Sequence, residues 1–147
     1  MSGYKQVIDV AYDVQQLGDA LDFMNIMTYD FRGFWDGKTG HHAPLYVDND
    51  DANPDYNTVR KRGNIIFSYS IIQNSVMSYY ESKGAPKSKL IVGIPFYGQS
   101  FSTKGGGTSY GAETSGPGDA GRWTKQRGML AFYEICSAGN QQFSRLV

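Results

Sequence analysis

The stretch FMNIMTYDF, residues 23–31, is a short apolar run that ends abruptly in Tyr29 and Asp30. Its apolar and aromatic residues predict a buried strand from Phe23 to Tyr29. A strand that delivers a phenol and a carboxylate at its C-terminal end is typical of a parallel barrel, where that edge carries the binding pocket. The alternative interpretation is a core strand followed by an ordinary polar turn.

The segment that follows, residues 31–46, is rich in glycine and aromatic side chains and favours the first interpretation. A loop of this composition suits flat, partly apolar ligands, because aromatic rings offer broad apolar faces. Sugar rings are ligands of that kind. The combined pattern therefore favours a binding pocket at the C-terminal end of the strand.

Two helices are predicted from apolar spacing. Residues 13–22 are expected to form a helix, because Val14, Leu17 and Leu21 share one helical face. A second helix is expected over 71–83, ended by Gly84 in a left-handed conformation.

Further elements are predicted around these helices. Residues 89–97 are expected to form a second buried strand, since their apolar run is too continuous for a half-exposed edge. Both strands are expected in one parallel sheet. The composition also predicts a long loop at 36–57, a strand at 64–70, a Gly/Ser-rich loop at 99–121 and a helical segment at 130–136.

Three ordered blocks of the chain resemble one protein family. The first is TYDFxGxW at 28–35, followed by GHxAPLY at 40–46. The second is KGAPxxKLxxGIPxYGxSF at 83–101. The third is SGPGxAG at 115–121, followed by GxLAxYEIC at 128–136. These blocks resemble the sixth strand, the seventh strand and the α+β insertion of the family 18 glycoside hydrolases, the chitinases and chitinase-like lectins.

The resemblance implies an α/β fold that is a fragment of a TIM (β/α)8 barrel with part of an inserted α+β subdomain. A complete barrel needs about 250 residues, whereas this chain has 147. Residues 1–98 are expected to form the partial barrel segment, with the end of the fifth unit and strands six and seven. Residues 99–147 are expected to form the partial insertion and an unmatched tail. Open strand edges in such a fragment predict weak thermal cooperativity.

The resemblance also implies roles for five side chains. Tyr29 would donate its hydroxyl to the N-acetyl carbonyl of a sugar, and Asp30 would contact the sugar near the cleavage point. Met27, which shares one side of the strand with Tyr29, would form the floor of the pocket. Trp35 would stack on a sugar ring on the leaving-group side, and Tyr97 would line the same cleft.

Catalysis in this family needs a general acid that the chain lacks. The N-acetyl carbonyl of the substrate attacks the anomeric carbon, and a glutamate that closes an Asp-x-x-Asp-x-Asp-x-Glu motif protonates the leaving group. That motif is absent, and Glu81 and Glu134 are expected to be surface charges on helices. No catalytic residue is therefore predicted beyond the supporting Tyr29, and the chain alone is expected to be inactive.

The expected function is that of a segment of a chitinase-type hydrolase that acts on β-1,4-N-acetylglucosamine polymers by substrate-assisted retaining hydrolysis. A non-catalytic chitin-binding chitinase-like lectin is one alternative, and a truncated gene product without independent function is another. Residues 59–70 have no counterpart in the family, so an inserted segment and sequence not meant to be translated both stay open for them.

Two positions depart from the family pattern. Gln99 stands where the family often has arginine, and Arg32 stands where it often has histidine. An arginine could pair with the carboxylate of Asp30, whereas glutamine offers a neutral hydrogen bond of about half the strength. The lone cysteine, Cys136, is expected to be an unpaired thiol buried on an apolar helix face.

Composition excludes several other classes. The 14 basic and 14 acidic residues cancel, which disfavours nucleic acid and acidic membranes as partners. Chitin or N-acetylglucosamine oligomers are the expected partners. No cofactor is expected, because the GPGDAG run at 116–121 lacks the preceding strand and the following helix of a dinucleotide site. No metal is expected, because His41 and His42 are not spaced as metal ligands. The family implies an extracellular location, although residues 1–6 lead into no signal-peptide core.

Overall fold

A computed structural model describes residues 1–44 and 72–138 of the chain, which divide into two compact units. The described part of the first unit comprises residues 1–29, 43–44 and 72–94. Its elements are α1 (Lys5–Ala11), α2 (Val14–Ala20), β1 (Met24–Ile26), α3 (Ile72–Ser82) and β2 (Leu90–Val92). The described part of the second unit comprises residues 30–42 and 95–138. Its elements are β3 (Tyr97–Gln99), β4 (Phe101–Thr103), β5 (Thr114–Pro117), β6 (Met129–Ala131) and α4 (Phe132–Ala138).

The first unit contains the predicted parallel sheet. Strand β1 pairs with β2 in parallel, with Met24 opposite Leu90 and Ile26 opposite Val92. Burial alternates along the first strand and beyond it: Met24, Ile26 and Thr28 are buried, and the residues between them are exposed, as a period of two requires. The prediction that the two apolar runs share one parallel sheet is therefore confirmed.

Both predicted helices of the first unit are present. Helix α2 begins after Asp13, whose carboxylate accepts a hydrogen bond from the backbone N–H of Gln16 at 3.1 Å, an ordinary N-terminal cap. Leu21 lies beyond the helix and is exposed, so its predicted place on the apolar face is wrong. Helix α3 buries Tyr80 completely, and Gly84 follows it at φ +98°, the left-handed stop that was predicted.

The prediction that residues 89–97 form a buried strand is wrong in its burial. Ile91 is 45% exposed and Val92 is 40% exposed. The continuous apolar run predicted a strand covered on both faces, but within the described residues the sheet has only two strands. Ile91 and Val92 are consecutive and lie on opposite faces of β2, so among the described residues neither face of the strand is fully covered.

The second unit contains more strand than was predicted. Strands β3 and β6 pair antiparallel, and β4 pairs antiparallel with β5. The predicted loop over 99–121 is therefore wrong in part, because its glycines and serines are recruited into β4 and β5 by pairing across the chain, which overrides their weak strand preference. The helix predicted from Leu130 begins later, at Phe132, because Leu130 belongs to β6.

Some predictions fall elsewhere. The strand predicted at 64–70, most of the loop predicted at 36–57 and the unmatched tail at 140–147 lie outside the described residues. Cys136 is a free thiol, as predicted, but it is exposed on α4, so the prediction that it is buried is wrong. A helix of seven residues has one protected stripe, and Cys136 lies off that stripe whereas Glu134 lies on it.

Candidate functional site

The carboxylate of Asp30 is the centre of a hydrogen-bonded cluster in the second unit. The hydroxyl of Tyr97 donates to Oδ2 of Asp30 at 2.6 Å, and the amide Nε2 of Gln99 donates to Oδ1 at 2.9 Å. Tyr97 and Gln99 are the first and last residues of β3, so their side chains project from the same side of that strand. The backbone of Asp30 has φ +61°, a left-handed conformation that non-glycine residues adopt rarely and often at functional sites.

His42 joins the same cluster. Its Nδ1 lies 3.4 Å from Oδ1 of Asp30, and its Nε2 lies 3.0 Å from the carbonyl oxygen of Tyr97. Burial lowers the pKa of His42 from 6.5, an effect that outweighs the opposing influence of the Tyr97 carbonyl and the Asp30 carboxylate. The ring is therefore mainly neutral at pH 7, and its two nitrogens link Asp30 to the backbone of β3.

His42 was not predicted as part of this site, because His41 and His42 suggested only a zinc site, and their spacing excluded that. The backbone N–H of Phe31 donates to the carbonyl of His42 at 2.8 Å, which brings the two segments together. No local pattern encodes this contact. The available signal was a polar residue in a loop that follows a strand ending in a carboxylate.

Two of the predicted side chains, Met27 and Tyr29, belong to the first unit. Met27 is exposed and Tyr29 is half-buried, beyond the end of β1. Gly93 lies beside Tyr29: a Cβ added there would be 2.8 Å from Cε1 of Tyr29 and 2.6 Å from the carbonyl oxygen of Ile26. Only glycine allows the tyrosine ring to approach the backbone so closely, which is a known reason for glycine within a strand region.

Trp35 is held on a tight turn in the second unit. Its indole lies over Gly33, where an added Cβ would be 2.3 Å from ring carbons. The side chain of Asp36 accepts from the backbone N–H of Gly33 at 2.8 Å and lies 3.6 Å from the guanidinium of Arg32. The ring is packed edge-on against Phe34 and is still 53% exposed. This arrangement fixes an exposed aromatic ring, which is what stacking on a ligand requires.

Glu134 corrects a prediction. Glu134 was predicted to be a surface charge on a helix, but it is buried. Its carboxylate accepts from the backbone N–H groups of Trp123 at 2.6 Å and Thr124 at 3.0 Å, and from that of Ala131 at 3.0 Å. Burial alone would raise the pKa of Glu134, but the three N–H donors lower it to about 2. Glu134 is therefore a charged anchor for the 121–131 segment.

The structure brings some of the predicted site residues together. Asp30 and Tyr97 are in direct contact, and Trp35 belongs to the same unit. Gln99, noted as a departure from the family, is in that contact as well. Among residues 1–44 and 72–138, no group of three or more metal-ligating side chains converges, and no helix is long and apolar enough to cross a membrane.

The second unit therefore contains a hydrogen-bonded carboxylate at Asp30 and an exposed tryptophan at position 35. The family model described as "Glycosyl hydrolases family 18" matches residues 1–146. The chain belongs to glycosyl hydrolase family 18.

Relatives within family 18 include enzymes and a pseudo-enzyme. The chain is 45% identical over 142 residues to "Probable chitinase 10" of Drosophila melanogaster, a match over 92% of this chain and 5% of that protein. It is similar to catalytic domain 2 of the Group II chitinase of Ostrinia furnacalis, with a TM-score of 0.82 and 44% identity over 96% of this chain and 33% of that one. It is also similar to human YKL-39, described as a pseudo-chitinase with retained chitooligosaccharide binding properties, with a TM-score of 0.78 and 37% identity over 93% of this chain and 35% of that one.

These matches confirm the predicted fold class, a mixed α/β portion of a family 18 TIM barrel. The chain spans about a third of the length of each of these two solved structures.

Proposed function

We propose that the chain is a segment of a chitinase-type glycoside hydrolase and contributes the side chains that hold the N-acetylglucosamine ring next to the scissile bond. The observation that carries this proposal is the Asp30 cluster. Its carboxylate is held between a phenol and a primary amide at 2.6 Å and 2.9 Å. Neutral donors of this kind fix a carboxylate as an acceptor for sugar hydroxyl or amide groups without neutralising its charge.

The remaining predicted roles extend the proposal. Tyr29 directs its hydroxyl at the N-acetyl carbonyl, and Met27 forms the floor under the acetamide. Trp35 stacks on a ring on the leaving-group side, where its exposed indole and rigid turn support this role. Aromatic stacking contributes about 0.5–1.5 kcal/mol beyond the burial of area. Tyr97 lines the cleft and orients Asp30.

The reaction of the parent enzyme follows from these roles. With the acetamide held, its carbonyl oxygen attacks the anomeric carbon while a general acid protonates the leaving oxygen. The chain supplies the groups that orient the acetamide, and no glutamate in it lies in the required acidic motif. We therefore infer that residues 1–98 are a partial barrel, that residues 99–147 are a partial insertion, and that the chain alone does not hydrolyse chitin. The parent acts outside the cell.

A lectin is the second candidate, and one observation favours it. YKL-39, which is 37% identical over 93% of this chain, is described as a pseudo-chitinase that retains chitooligosaccharide binding. A variant of the Ostrinia furnacalis domain, 44% identical to this chain, is in complex with (NAG)5, which supports sugar binding under either candidate. Sugar binding is therefore the shared expectation, and hydrolysis separates the two in the parent.

The test of binding is calorimetric titration of the 147-residue chain with a β-1,4-linked N-acetylglucosamine tetramer. A glucose tetramer with the same linkage is the matched ligand without acetamide groups. We expect the first to bind at least tenfold more tightly, and Tyr29→Phe to lose about two- to tenfold of that affinity, since one hydrogen bond is worth about 0.5–1.5 kcal/mol. Phe96→Ala removes an exposed aromatic ring with no proposed role and should change nothing. Equal affinity for both tetramers, or no binding, overturns the proposal.

The test of hydrolysis uses a chromogenic N-acetylglucosamine dimer. The chain alone should release no chromophore above the buffer rate, because losing a general acid typically costs about 10²–10⁴ in rate. Release of chromophore that Tyr29→Phe abolishes would show that the chain carries its own acid.

A further inference from the structure

The second unit contains a cleft of about 850 Å³ that the proposed function does not use. Its walls come from β3, β4, β6, α4 and the 118–123 loop. The lining includes Gln99, Phe101, Asp119, Trp123 and Leu130. The volume is within the range of small-molecule sites, and the mixture of apolar and polar groups is typical of them.

Trp123 is the most unusual residue in this lining. Its side chain is 62% exposed although it is a large aromatic group, and the guanidinium of Arg122 lies 4.9 Å from its ring centroid. An exposed indole leaves a broad apolar face in water, which a flat apolar ligand surface can cover.

The backbone under Trp123 is held more tightly than an exposed loop requires. Glu134 accepts from the N–H groups of both Trp123 and Thr124. Gly121 lies against the same carboxylate, where an added Cβ would be 2.4 Å from Oε1 of Glu134. The indole is therefore presented from a fixed backbone, so that little conformational entropy is lost when a ligand stacks on it.

Gln99 connects this cleft to the Asp30 cluster. Its amide donates to Asp30 at 2.9 Å, and the same residue lines the cleft. The cleft therefore begins next to the Asp30 cluster, at Gln99. The charged groups of the lining, Asp119, Arg122 and the buried Glu134, do not add up to a positive patch. A neutral ligand with rings and hydroxyl groups fits these walls better than an anion does.

We propose that Trp123 is an additional sugar-stacking platform, and that the cleft around it binds a ring of the oligomer remote from the one held at Asp30. This inference rests on the proposed function, because it takes the same β-1,4-linked N-acetylglucosamine chain as the ligand. It predicts that Trp123 contributes to the binding of long oligomers and not of short ones, since the ring on Trp123 is proposed to be remote from the ring held at Asp30.

The experiment titrates the 147-residue chain with N-acetylglucosamine oligomers of two, four and six units. We expect Trp123→Ala to weaken binding of the hexamer by about five- to tenfold and to leave binding of the dimer unchanged, and Trp123→Phe to retain most of the affinity. Phe132→Ala is the matched control, because Phe132 is an exposed ring of the same unit that lies outside the cleft lining. Circular dichroism of each variant verifies that it is folded.

The outcomes separate the two proposals. If the hexamer binds and Trp123→Ala weakens dimer and hexamer equally, or weakens neither, the stacking platform is refuted while the proposed function stands. If the unmodified chain binds no oligomer, both are refuted. A loss of affinity confined to the longer oligomers, and reversed by Trp123→Phe, supports the platform.

Discussion

The coupling free energy of the Tyr97–Asp30 hydrogen bond can be measured by a double-mutant cycle. Its size tests whether the Asp30 carboxylate is held in place by the cluster. The two substitutions are Tyr97→Phe, which removes the hydroxyl at 2.6 Å, and Asp30→Gly, which removes the carboxylate. Glycine is chosen because it accepts φ +61° without strain. Backbone effects of the glycine occur in both arms of the cycle and cancel.

The expected coupling follows from the geometry. A hydrogen bond to a charged group contributes about 1.5–3 kcal/mol when it is shielded. The side chain of Asp30 is 39% exposed, so water replaces part of the lost interaction. We therefore expect a coupling free energy of about 1 kcal/mol, and a decrease of the urea midpoint by about 0.5 M for Tyr97→Phe alone, given a slope of about 2 kcal/mol per M.

The assay is urea unfolding followed by tryptophan fluorescence. Both tryptophans of the chain, Trp35 and Trp123, belong to the second unit, so their emission reports that unit. Tyr133→Phe combined with Asp30→Gly is the control cycle, because Tyr133 is an exposed phenol on α4. Independent sites show coupling free energies of up to about 0.5 kcal/mol. A Tyr97–Asp30 coupling no larger than this would refute the conclusion that the two side chains share a stabilising hydrogen bond.

Three further predictions concern single positions. Gly93→Ala should lower the free energy of unfolding by about 1–3 kcal/mol, because the new Cβ meets the Tyr29 ring and a backbone oxygen. Gly107→Ala is the control: its new Cβ makes an ordinary contact at 3.5 Å, so the free energy of unfolding should change by no more than about 0.5 kcal/mol. Equal losses of stability in the two variants would contradict this prediction. The pKa of Glu134 is lowered from 4.5 to about 2 in the fold, so the stabilisation by its carboxylate is complete above pH 4.5 and is lost as the pH falls towards 2. Glu134→Gln should lower the urea midpoint at pH 7, and the midpoint of this variant should depend less on pH between 4.5 and 2. Midpoints of the variant and the unmodified chain that fall in parallel over this range would contradict the prediction. The pKa of His42 is lowered from 6.5, so below pH 6.5 the folded chain binds fewer protons than the unfolded chain and loses stability as the pH falls. His42→Gln should make the urea midpoint less dependent on pH below 6.5. An unchanged pH dependence would exclude His42 as the cause of this loss of stability.

Local patterns predicted two helices of the first unit and the stop at Gly84, because these features are specified by neighbouring residues. Helix α1 was not predicted, and the strand predicted as buried over 23–29 leaves Phe23 and Met27 exposed, because burial alternates along it. The burial of β2 was misjudged for a different reason. Its apolar run predicts a strand that is covered on both faces, but the described residues do not cover both faces of β2.

The cluster around Asp30 was only partly predictable. The family resemblance pointed to Asp30 and Tyr97, but their contact joins residues 67 positions apart, and that of Gln99 joins residues 69 apart. The contacts of His42 with Asp30 and with the Tyr97 carbonyl join separate segments, and most partners of Glu134 are backbone N–H groups of a preceding loop, so neither set of contacts could be predicted from local sequence. Glu134 did leave one trace: it is the third residue of α4, from which a glutamate commonly reaches back to the N–H before the helix.

The glutamine at position 99 changes what the site can recognise. An arginine there would place a permanent cation against Asp30, and a carboxylate paired in that way is a poorer acceptor for further donors. The amide of Gln99 leaves the negative charge of the carboxylate in place, and Asp30 is accessible enough for a ligand to reach it. The neutral side chain also removes a positive charge from the cleft that continues past it. Both effects favour an uncharged, hydrogen-bonding ligand, and they support the proposal that one oligosaccharide binds at both Asp30 and Trp123.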